Sequence, residues 1–328
     1  MTNTVCERLG ITYPILQGPM AWASYGGLVA AVSNAGGLGI LGLGSVPVDA
    51  ARAEIRRTKD LTDRPFGFNL YAFLPSMDAM CEMLLEEGVP AVEVGALPGF
   101  FESLPAHVAR LKASGAAVIG KASSVEEAVQ YEQAGVDAVA IKGADGGGHI
   151  FGFTGTFSLL PQVVDAVSVP VICGGGVADG RGMAAAFMLG AEAVEVGSRF
   201  LLAHECPVHE NYKRAVLGAR EGETVVTGSI CGDAVRQLPN DLSDRLLTAE
   251  RECTVDEAIR RIQAMASDSL RRAAVDGDTR EGCVTVGQIA GMLGKTQSAQ
   301  EIVDELVAGC AATLSAAPAL LEAVDATV

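Results

Sequence analysis

Residues Cys173–Gly180 (CGGGVADG) place three successive glycines directly before a segment of helical periodicity. Because Gly174, Gly175 and Gly176 lack a Cβ atom, the backbone there can approach a ligand closely. The first turn of the following helix offers unpaired N–H donors and a partial positive charge, and Asp179 is placed to cap it. The segment therefore predicts a phosphate-binding loop, and a merely tight turn between a strand and a helix is the alternative.

A second candidate phosphate loop is Gly197–Ser198–Arg199, which follows another apolar run. Gly197 and Ser198 can add backbone N–H groups and a hydroxyl to a phosphate site. This signal is weak alone. It becomes stronger if the two loops follow neighbouring strands, because both could then contact the same phosphate. Together the loops predict a site for one phosphate monoester, such as that of FMN.

His149 follows Gly146–Gly147–Gly148 in a loop after a further apolar run. A histidine can move a proton or donate to a developing oxyanion near neutral pH, while Gly147 and Gly148 leave room for a flat ring system. We identify His149 as the candidate catalytic residue, with a purely structural histidine as the alternative. The other histidines lack such a setting and are interpreted as surface or packing residues (His107, His204 and His209).

The first apolar run ends in Gln17–Met20 (QGPM), where small residues and exposed backbone could contact the edge of a flavin ring. Gly18, Pro19 and Met20 are the candidate contacts. Asn69, at the end of FGFN, adds a side-chain amide that can pair with ring nitrogen or oxygen atoms. Ordinary strand-end packing and a turn asparagine are the alternatives at these two positions.

Eight short apolar runs must position these loops. Their first residues lie 21 to 33 residues apart, with stretches of helical period between them. Strands buried on both faces read as continuous apolar runs, and intervening helices imply parallel pairing. The pattern predicts a (β/α)8 TIM barrel, in which phosphate sites commonly follow the seventh and eighth strands; a doubly wound sheet usually carries its phosphate loop after the first strand. The predicted strands are 14–20, 38–44, 65–73, 91–97, 116–122, 137–143, 170–176 and 193–200.

The pattern changes after residue 200. Residues 201–275 carry many charges and few β-like runs, with helical stretches such as Thr254–Met265. We interpret them as a small helical, substrate-covering subdomain inserted after the eighth strand. Residues 276–328 return to an Ala/Leu-rich helical pattern and are expected to supply the last barrel helix. The barrel domain is thus predicted to comprise residues 1–200 and 276–328.

Composition narrows the classes of partner. The 328 residues carry a formal net charge of −16, which disfavours nucleic acid and anionic membranes as partners. Eight cysteines form no CxxC pair, and no Cys/His spacing suits zinc, so we expect buried thiols and no metal site. No uncharged run reaches the roughly 20 residues that span a bilayer, and the N-terminus lacks an apolar signal core. A cytoplasmic location is expected.

Several motifs together resemble the nitronate monooxygenase/2-nitropropane dioxygenase-like flavoproteins. Within that family they look closest to the flavin-dependent enoyl-acyl-carrier-protein reductases (FabK). The resemblance covers nearly the whole chain, and its motifs are specific for the family but less so for one activity. They are QGPMAWAS, AVSNAGGLGILG, PFGFNL, GGGHI, LLPQVVDAVSVPVICGGGVADGRG, AEAVEVGSRF and GQIAGM.

The resemblance implies an FMN-bearing barrel with a small helical substrate domain, and suggests a homodimer. His149 matches the family's active-site histidine, and Gln288 matches a segment near the flavin. Lys142 is a departure, since relatives usually carry Glu or Gln shortly before the glycine–histidine loop. A lysine there could stabilise negative charge on the reduced ring or point to solvent. The implied FMN contacts fall on Gly18, Met20, Asn69, Gly175, Gly176, Gly197 and Ser198.

Four functions follow as hypotheses. The first is an enoyl-thioester reductase in fatty acid synthesis, in which NADH or NADPH reduces FMN and the flavin reduces a free or carrier-bound 2-enoyl thioester. The second is a nitronate monooxygenase, in which His149 removes the proton α to a nitro group and O2 is consumed. An NAD(P)H:quinone reductase and a non-catalytic flavin- or phosphate-binding protein are the others.

Overall fold

The computed structural model describes residues 3–97 and 99–325, and a closed barrel of eight parallel strands forms its centre. Strand β9 pairs with β1, with Leu16 opposite Glu195, which closes the barrel. The predicted (β/α)8 architecture is confirmed. The barrel strands are β1 (Ile15–Gln17), β2 (Leu38–Leu41), β3 (Gly67–Tyr71), β4 (Ala91–Gly95), β5 (Ala117–Ala122), β6 (Ala138–Lys142), β8 (Val171–Gly174) and β9 (Ala193–Val196).

Helices surround the barrel, and the strands are buried on both faces. Small and branched side chains such as Leu16, Ile40 and Ile172 fill the barrel interior, as expected for a packed barrel core. The helices are α1 (Thr4–Leu9), α2 (Gly26–Asn34), α3 (Val48–Leu61), α4 (Met77–Glu87), α5 (Leu104–Ala113), α6 (Val125–Gln133), α7 (Thr156–Ala166), α8 (Gly180–Met188), α9 (Glu210–Leu217), α10 (Asp241–Glu252), α11 (Val255–Ala266), α12 (Ser269–Ala274) and α13 (Ala299–Asp325).

Residues 201–275 contain α9 to α12 and also two short strands, β10 (Val225–Thr227) and β11 (Val235–Gln237). These strands pair antiparallel, and β11 also pairs with β7 (Gly148–His149), which belongs to the loop after β6. Three residues per strand are too few for alternation to stand out, so the sequence indicated only helices here. The inserted segment is therefore joined by backbone hydrogen bonds to the loop that carries His149.

The last barrel helix is α13, which begins at Ala299; the residues before it form loops and a short 3₁₀ helix (Gln288–Met292). By length and composition, Ala299–Ala319 could also cross a bilayer. Its first turns instead pack on the barrel, where Ile302, Val303 and Leu306 are buried.

Gly180 at the start of α8 allows α13 to approach closely. A Cβ atom on Gly180 would lie 2.5 Å from the Cα atom of Gly309. We expect Gly180→Val to lower the free energy of unfolding by about 1–3 kcal/mol, since overpacking forces the backbone to move. Gly182→Ala, on the same helix, is the control because its Cβ would have an ordinary 3.4 Å contact. Urea denaturation measures both, and equal stability of the two variants would contradict the packing argument.

Candidate active site

A cavity of about 880 Å³ opens at the carboxyl ends of the barrel strands. Ligand pockets in proteins commonly measure ~300–1,000 Å³, so this one can hold a large cofactor or a cofactor with a substrate. The residues proposed from the sequence, except Gln288, line this one cavity. They are Gly18, Pro19, Met20, Asn69, Lys142, Gly147, Gly148, His149, Gly174, Gly175, Gly176, Gly197 and Ser198.

Gln288 lies apart from the cavity. Its side chain is exposed, while its neighbours Gly287 and Ile289 line the wall. The Gln288 backbone N–H donates to the Asp145 carbonyl at 2.9 Å, so this segment closes over the loop before His149. Successive side chains point in different directions at the start of a 3₁₀ helix. The residues of this segment that face the cavity are therefore Gly287 and Ile289.

We call Gly174–Gly176 together with Gly197 and Ser198 the glycine cradle. Strands β8 and β9 are neighbours, with Gly174 opposite Glu195, so both loops emerge side by side. Gly175 and Gly176 have φ values of +95° and +71°, which favour glycine. Asp179 caps α8 by accepting from the Arg181 N–H at 2.9 Å.

A phosphorylated flavin fits this arrangement of residues. The four glycines of the cradle present backbone without side chains, and Ser198 adds a hydroxyl, so a phosphate can approach these loops closely. Asn69 is 3 % exposed, and its Oδ1 atom has no hydrogen-bond partner within the described chain. A buried acceptor of this kind calls for a donor from a ligand, and flavins carry ring N–H and ribityl O–H donors.

His149 is held at the rim by the small sheet. It pairs with Val235 in β11, and the Ile150 N–H donates to the Ala234 carbonyl at 2.8 Å. The His149 Nε2 atom lies 3.3 Å from Asp233 Oδ1. The imidazole also stacks on Phe151, with ring centroids 6.3 Å apart. The inserted segment thus supplies both the strand and the carboxylate that orient His149.

Three effects act on the pKa of His149. Partial removal from water at the cavity wall lowers it, the Asp233 carboxylate raises it, and the Lys142 ammonium lowers it, with a net decrease from the ordinary value. The imidazole is therefore largely neutral at pH 7. In this form it has one ring N–H donor and one ring nitrogen that can accept a proton.

Asp233→Asn is expected to lower the pKa of His149 further, because the effect of the carboxylate that opposes desolvation is lost. The proton NMR signal of the imidazole, followed against pH, measures this, and His149→Asn identifies the resonance. The other three histidines are internal controls. A His149 pKa that stays the same or rises in Asp233→Asn would contradict the assigned pairing.

Sequence reasoning missed a buried group of charges beneath the cavity, which we call the floor cluster: Glu93, Lys121 and Glu195. Glu93 lies on β4, Lys121 on β5 and Glu195 on β9. All three residues line the cavity. The signal was present as charges inside apolar strands, in AVEVG (twice) and VIGKA. Charged residues are almost never fully buried unless paired, so these positions marked a site.

Within the floor cluster, Lys121 contacts both carboxyl groups. Its Nζ atom lies 3.7 Å from Glu93 Oε2 and is hydrogen-bonded to Glu195. Burial and the neighbouring Glu195 raise the pKa of Glu93 well above its usual range, whereas Lys121 keeps that of Glu195 low. Gly18 is needed above them, since a Cβ there would lie 2.9 Å from Glu195 Oε1.

Lys142 points inward at the end of β6. Its Nζ atom donates to the Gly147 carbonyl at 2.7 Å, and the side chain lines the cavity. Burial and the nearby Lys121 ammonium lower the pKa of Lys142 to about 8. Of the two possibilities left by the sequence, exposure to solvent is wrong, because Lys142 faces the cavity.

The far part of the cavity is an apolar arm beneath the inserted segment. Its wall comes from α10, α11 and α12, and then from the loop that leads to the 3₁₀ helix. Most of these side chains present hydrocarbon to the interior, and Gln263 and Ser269 add polar groups. The apolar side chains include Leu246, Ile262, Ala266, Leu270, Ala274 and Cys283.

Two curated proteins align with more than nine-tenths of this chain. A curated nitronate monooxygenase of Paraburkholderia phytofirmans is 34% identical over 91% of this chain and 92% of its own. A (3aS,4S,5R,7aS)-5-hydroxy-7a-methyl-1-oxo-octahydro-1H-indene-4-carboxyl-CoA dehydrogenase of Mycobacterium tuberculosis is 34% identical over 98% of this chain and 99% of its own.

Solved structures agree. FabK of Thermotoga maritima superposes with a TM-score of 0.91 and 38% identity, covering 98% of this chain and 99% of its own. A nitroalkane oxidase of Streptomyces ansochromogenes superposes with a TM-score of 0.82 and 28% identity, covering 95% of this chain and 99% of its own. The family model described as nitronate monooxygenase matches residues 3–309. The chain therefore belongs to the nitronate monooxygenase family and is a flavin-dependent oxidoreductase.

Proposed function

We propose that this protein is an FMN-dependent NAD(P)H oxidoreductase that reduces the 2-enoyl double bond of an acyl thioester. One observation carries the proposal: a single cavity joins the glycine cradle to an apolar arm, with His149 at its rim. A phosphate-bearing cofactor and a hydrocarbon chain can therefore share one space. One relative supports this class of substrate, since the M. tuberculosis enzyme is named a carboxyl-CoA dehydrogenase. The motifs of the chain that resemble enoyl-acyl-carrier-protein reductases point to the same class.

FMN would bind with its phosphate on the glycine cradle and its ring against Gly18, Met20 and Asn69. When bound, it would supply two-electron chemistry between NAD(P)H and the enoyl thioester. The apolar arm binds the acyl chain by excluding water from it. The chain's own residues must then handle one proton, because the double bond gains a hydride and a proton.

His149 performs the proton chemistry in this proposal. In its protonated form, the imidazole keeps Nε2–H toward Asp233 and donates its other ring N–H to the thioester oxygen, where negative charge develops as the β-carbon is reduced. That proton then passes to the α-carbon, which leaves the imidazole neutral. More than half of the imidazole is exposed, with 56% of its surface accessible, so a delivered proton is replaced from water. Asp233 orients the ring during both events.

A nitronate monooxygenase is the second candidate, and the His149–Asp233 pair is the observation that favours it. A neutral imidazole held by a carboxylate is a general base suited to removing a proton α to a nitro group. The lowered pKa of His149 keeps it in that form at pH 7. The curated Paraburkholderia enzyme bears this name.

Steady-state turnover by the FMN-loaded protein separates these candidates. The proposal predicts anaerobic NADH or NADPH oxidation that depends on crotonyl-CoA or a longer enoyl-CoA, with the saturated thioester as product. The second candidate predicts O2 consumption with propyl-2-nitronate and no need for NAD(P)H. Nitronate oxidation without any enoyl-dependent NAD(P)H oxidation would overturn the proposal in favour of the alternative.

A further inference from the structure

We propose that the Lys142 ammonium is the counter-ion for the negative charge that the bound flavin gains on reduction. This inference rests on the flavin of the proposed function and not on its acyl substrate. It concerns a position at which the sequence departs from the pattern expected of the family. The argument rests on three features: the charges around Lys142, its place beside the glycine cradle, and its single neutral partner.

The floor cluster leaves Lys142 without a committed counter-ion. Glu93 and Glu195 both pair with Lys121, and burial beside Glu195 raises the pKa of Glu93 well above its usual range, which favours a proton on Glu93. With that proton, the cluster contains one ammonium on Lys121 and one remaining negative charge, and is neutral. Glu93 Oε2 and Glu195 Oε2 are buried and make no hydrogen bond within the described chain.

Lys142 is therefore a cation of the cavity wall that has no carboxylate partner among the described residues. In the described part of the chain its ammonium binds only the Gly147 carbonyl, at 2.7 Å, and no carboxylate lies within ion-pair distance. Burying a cation without a counter-ion is costly, and a transient anion in the cavity would compensate that cost. The ionisable groups that face it from neighbouring elements are Lys121 on β5, Glu93 on β4, Glu195 on β9, Tyr71 on β3 and His149 on β7.

The position of Lys142 ties that anion to the cofactor. In the pairing of β6 with β8, Lys142 lies opposite Gly174, the first residue of the glycine cradle. A flavin whose phosphate binds Gly175 and Gly176 must run its ribityl chain and ring across the neighbouring strand ends. The Lys142 ammonium is thus placed beside the cofactor, below the loop that carries His149.

The pH dependence of the flavin midpoint potential tests this. Above pH 8 or so, Lys142 is neutral beside the oxidised ring, and the negative reduced ring makes it take up a proton. Each additional proton steepens the potential by about 30 mV per pH unit for two electrons. Wild-type holoenzyme should therefore show a steeper segment that begins near pH 8.

Three variants divide the possible causes. Lys142→Met should lack the steep segment and bind sulfite at least tenfold more weakly, because sulfite adds to oxidised flavin and leaves negative charge on the ring. Lys142→Arg should keep the sulfite affinity at pH 7 but lack the steep segment, since arginine stays charged. Lys295→Met removes a surface lysine paired with Glu305 and should behave as wild type. If Lys142→Met does not retain the flavin, the same measurements are made on Lys142→Gln. The pH dependence of the wild-type midpoint potential then also tests the proposal without any variant.

Two failures can be told apart. Wild-type protein that refuses FMN would overturn both the proposed function and this inference. A yellow Lys142→Met protein with the potential, slope and sulfite affinity of wild type would overturn this inference alone. Unchanged flavin properties with weaker binding of a nitronate or enolate analogue would also overturn it, since the anion would then belong to the substrate.

Discussion

Gly175→Ala should purify as a folded protein without bound flavin. A Cβ atom at this position would lie 2.7 Å from Thr156 Oγ1, at a φ of +95° that L side chains rarely adopt. The loop must then shift, and its N–H groups no longer converge on the phosphate. Losing one or two hydrogen bonds to a charged group, at about 1.5–3 kcal/mol each, weakens FMN binding by roughly one to four orders of magnitude.

Gly135→Ala is the matched control for that experiment. Gly135 also has a positive φ, +86°, but a Cβ there would meet nothing within 4 Å. Both variants therefore bear similar backbone strain, and only one of them disturbs the cradle. Isothermal titration of the apoprotein with FMN measures the difference. Equal FMN affinities for Gly175→Ala and wild type would show that the phosphate binds elsewhere.

His149→Ala should retain FMN and lose turnover. The imidazole is the rim group that combines a proton-transfer function with a carboxylate partner, Asp233. General acid–base catalysis by a positioned side chain contributes typically about 10²–10⁴-fold, so kcat with an enoyl thioester should fall by about that factor. The flavin spectrum should stay normal, since the glycine cradle is unaltered.

The control variant for His149→Ala is His204→Asn. His204 is exposed and lies outside the cavity wall, so its loss should leave kcat unchanged. A merely structural role for His149 would instead lower the stability or the FMN affinity without a specific fall in kcat. Full turnover in His149→Ala would remove this residue from the proposed chemistry.

Local signals in the sequence predicted the architecture well. Continuous apolar runs mark strands buried on both faces, and glycines at their ends mark loops that a ligand approaches. For that reason the barrel, the two cradle loops and the placement of Asn69 and His149 at one cavity followed from short stretches of chain. Each needed only the neighbouring residues and the rule that parallel strands end on one side.

Features that depend on distant pairing were not predictable. Lys121 meets Glu195 across 74 residues of sequence, and only barrel closure and strand register bring them together. The same holds for β11 of the inserted segment, which pairs with the strand that carries His149 in the loop after β6. The direction of the Gln288 side chain at the start of a 3₁₀ helix was also not predictable: it is exposed, while its neighbours Gly287 and Ile289 line the cavity.

A two-step spectrum of the purified holoenzyme tests the central claim most directly. We predict that a yellow protein, kept without oxygen, is bleached by NADH or NADPH and then regains its colour when crotonyl-CoA is added. Each step should be complete within the turnover time of the enzyme. A flavin that nicotinamide cannot bleach, or that returns to yellow only with O2 and never with the enoyl thioester, would contradict the account.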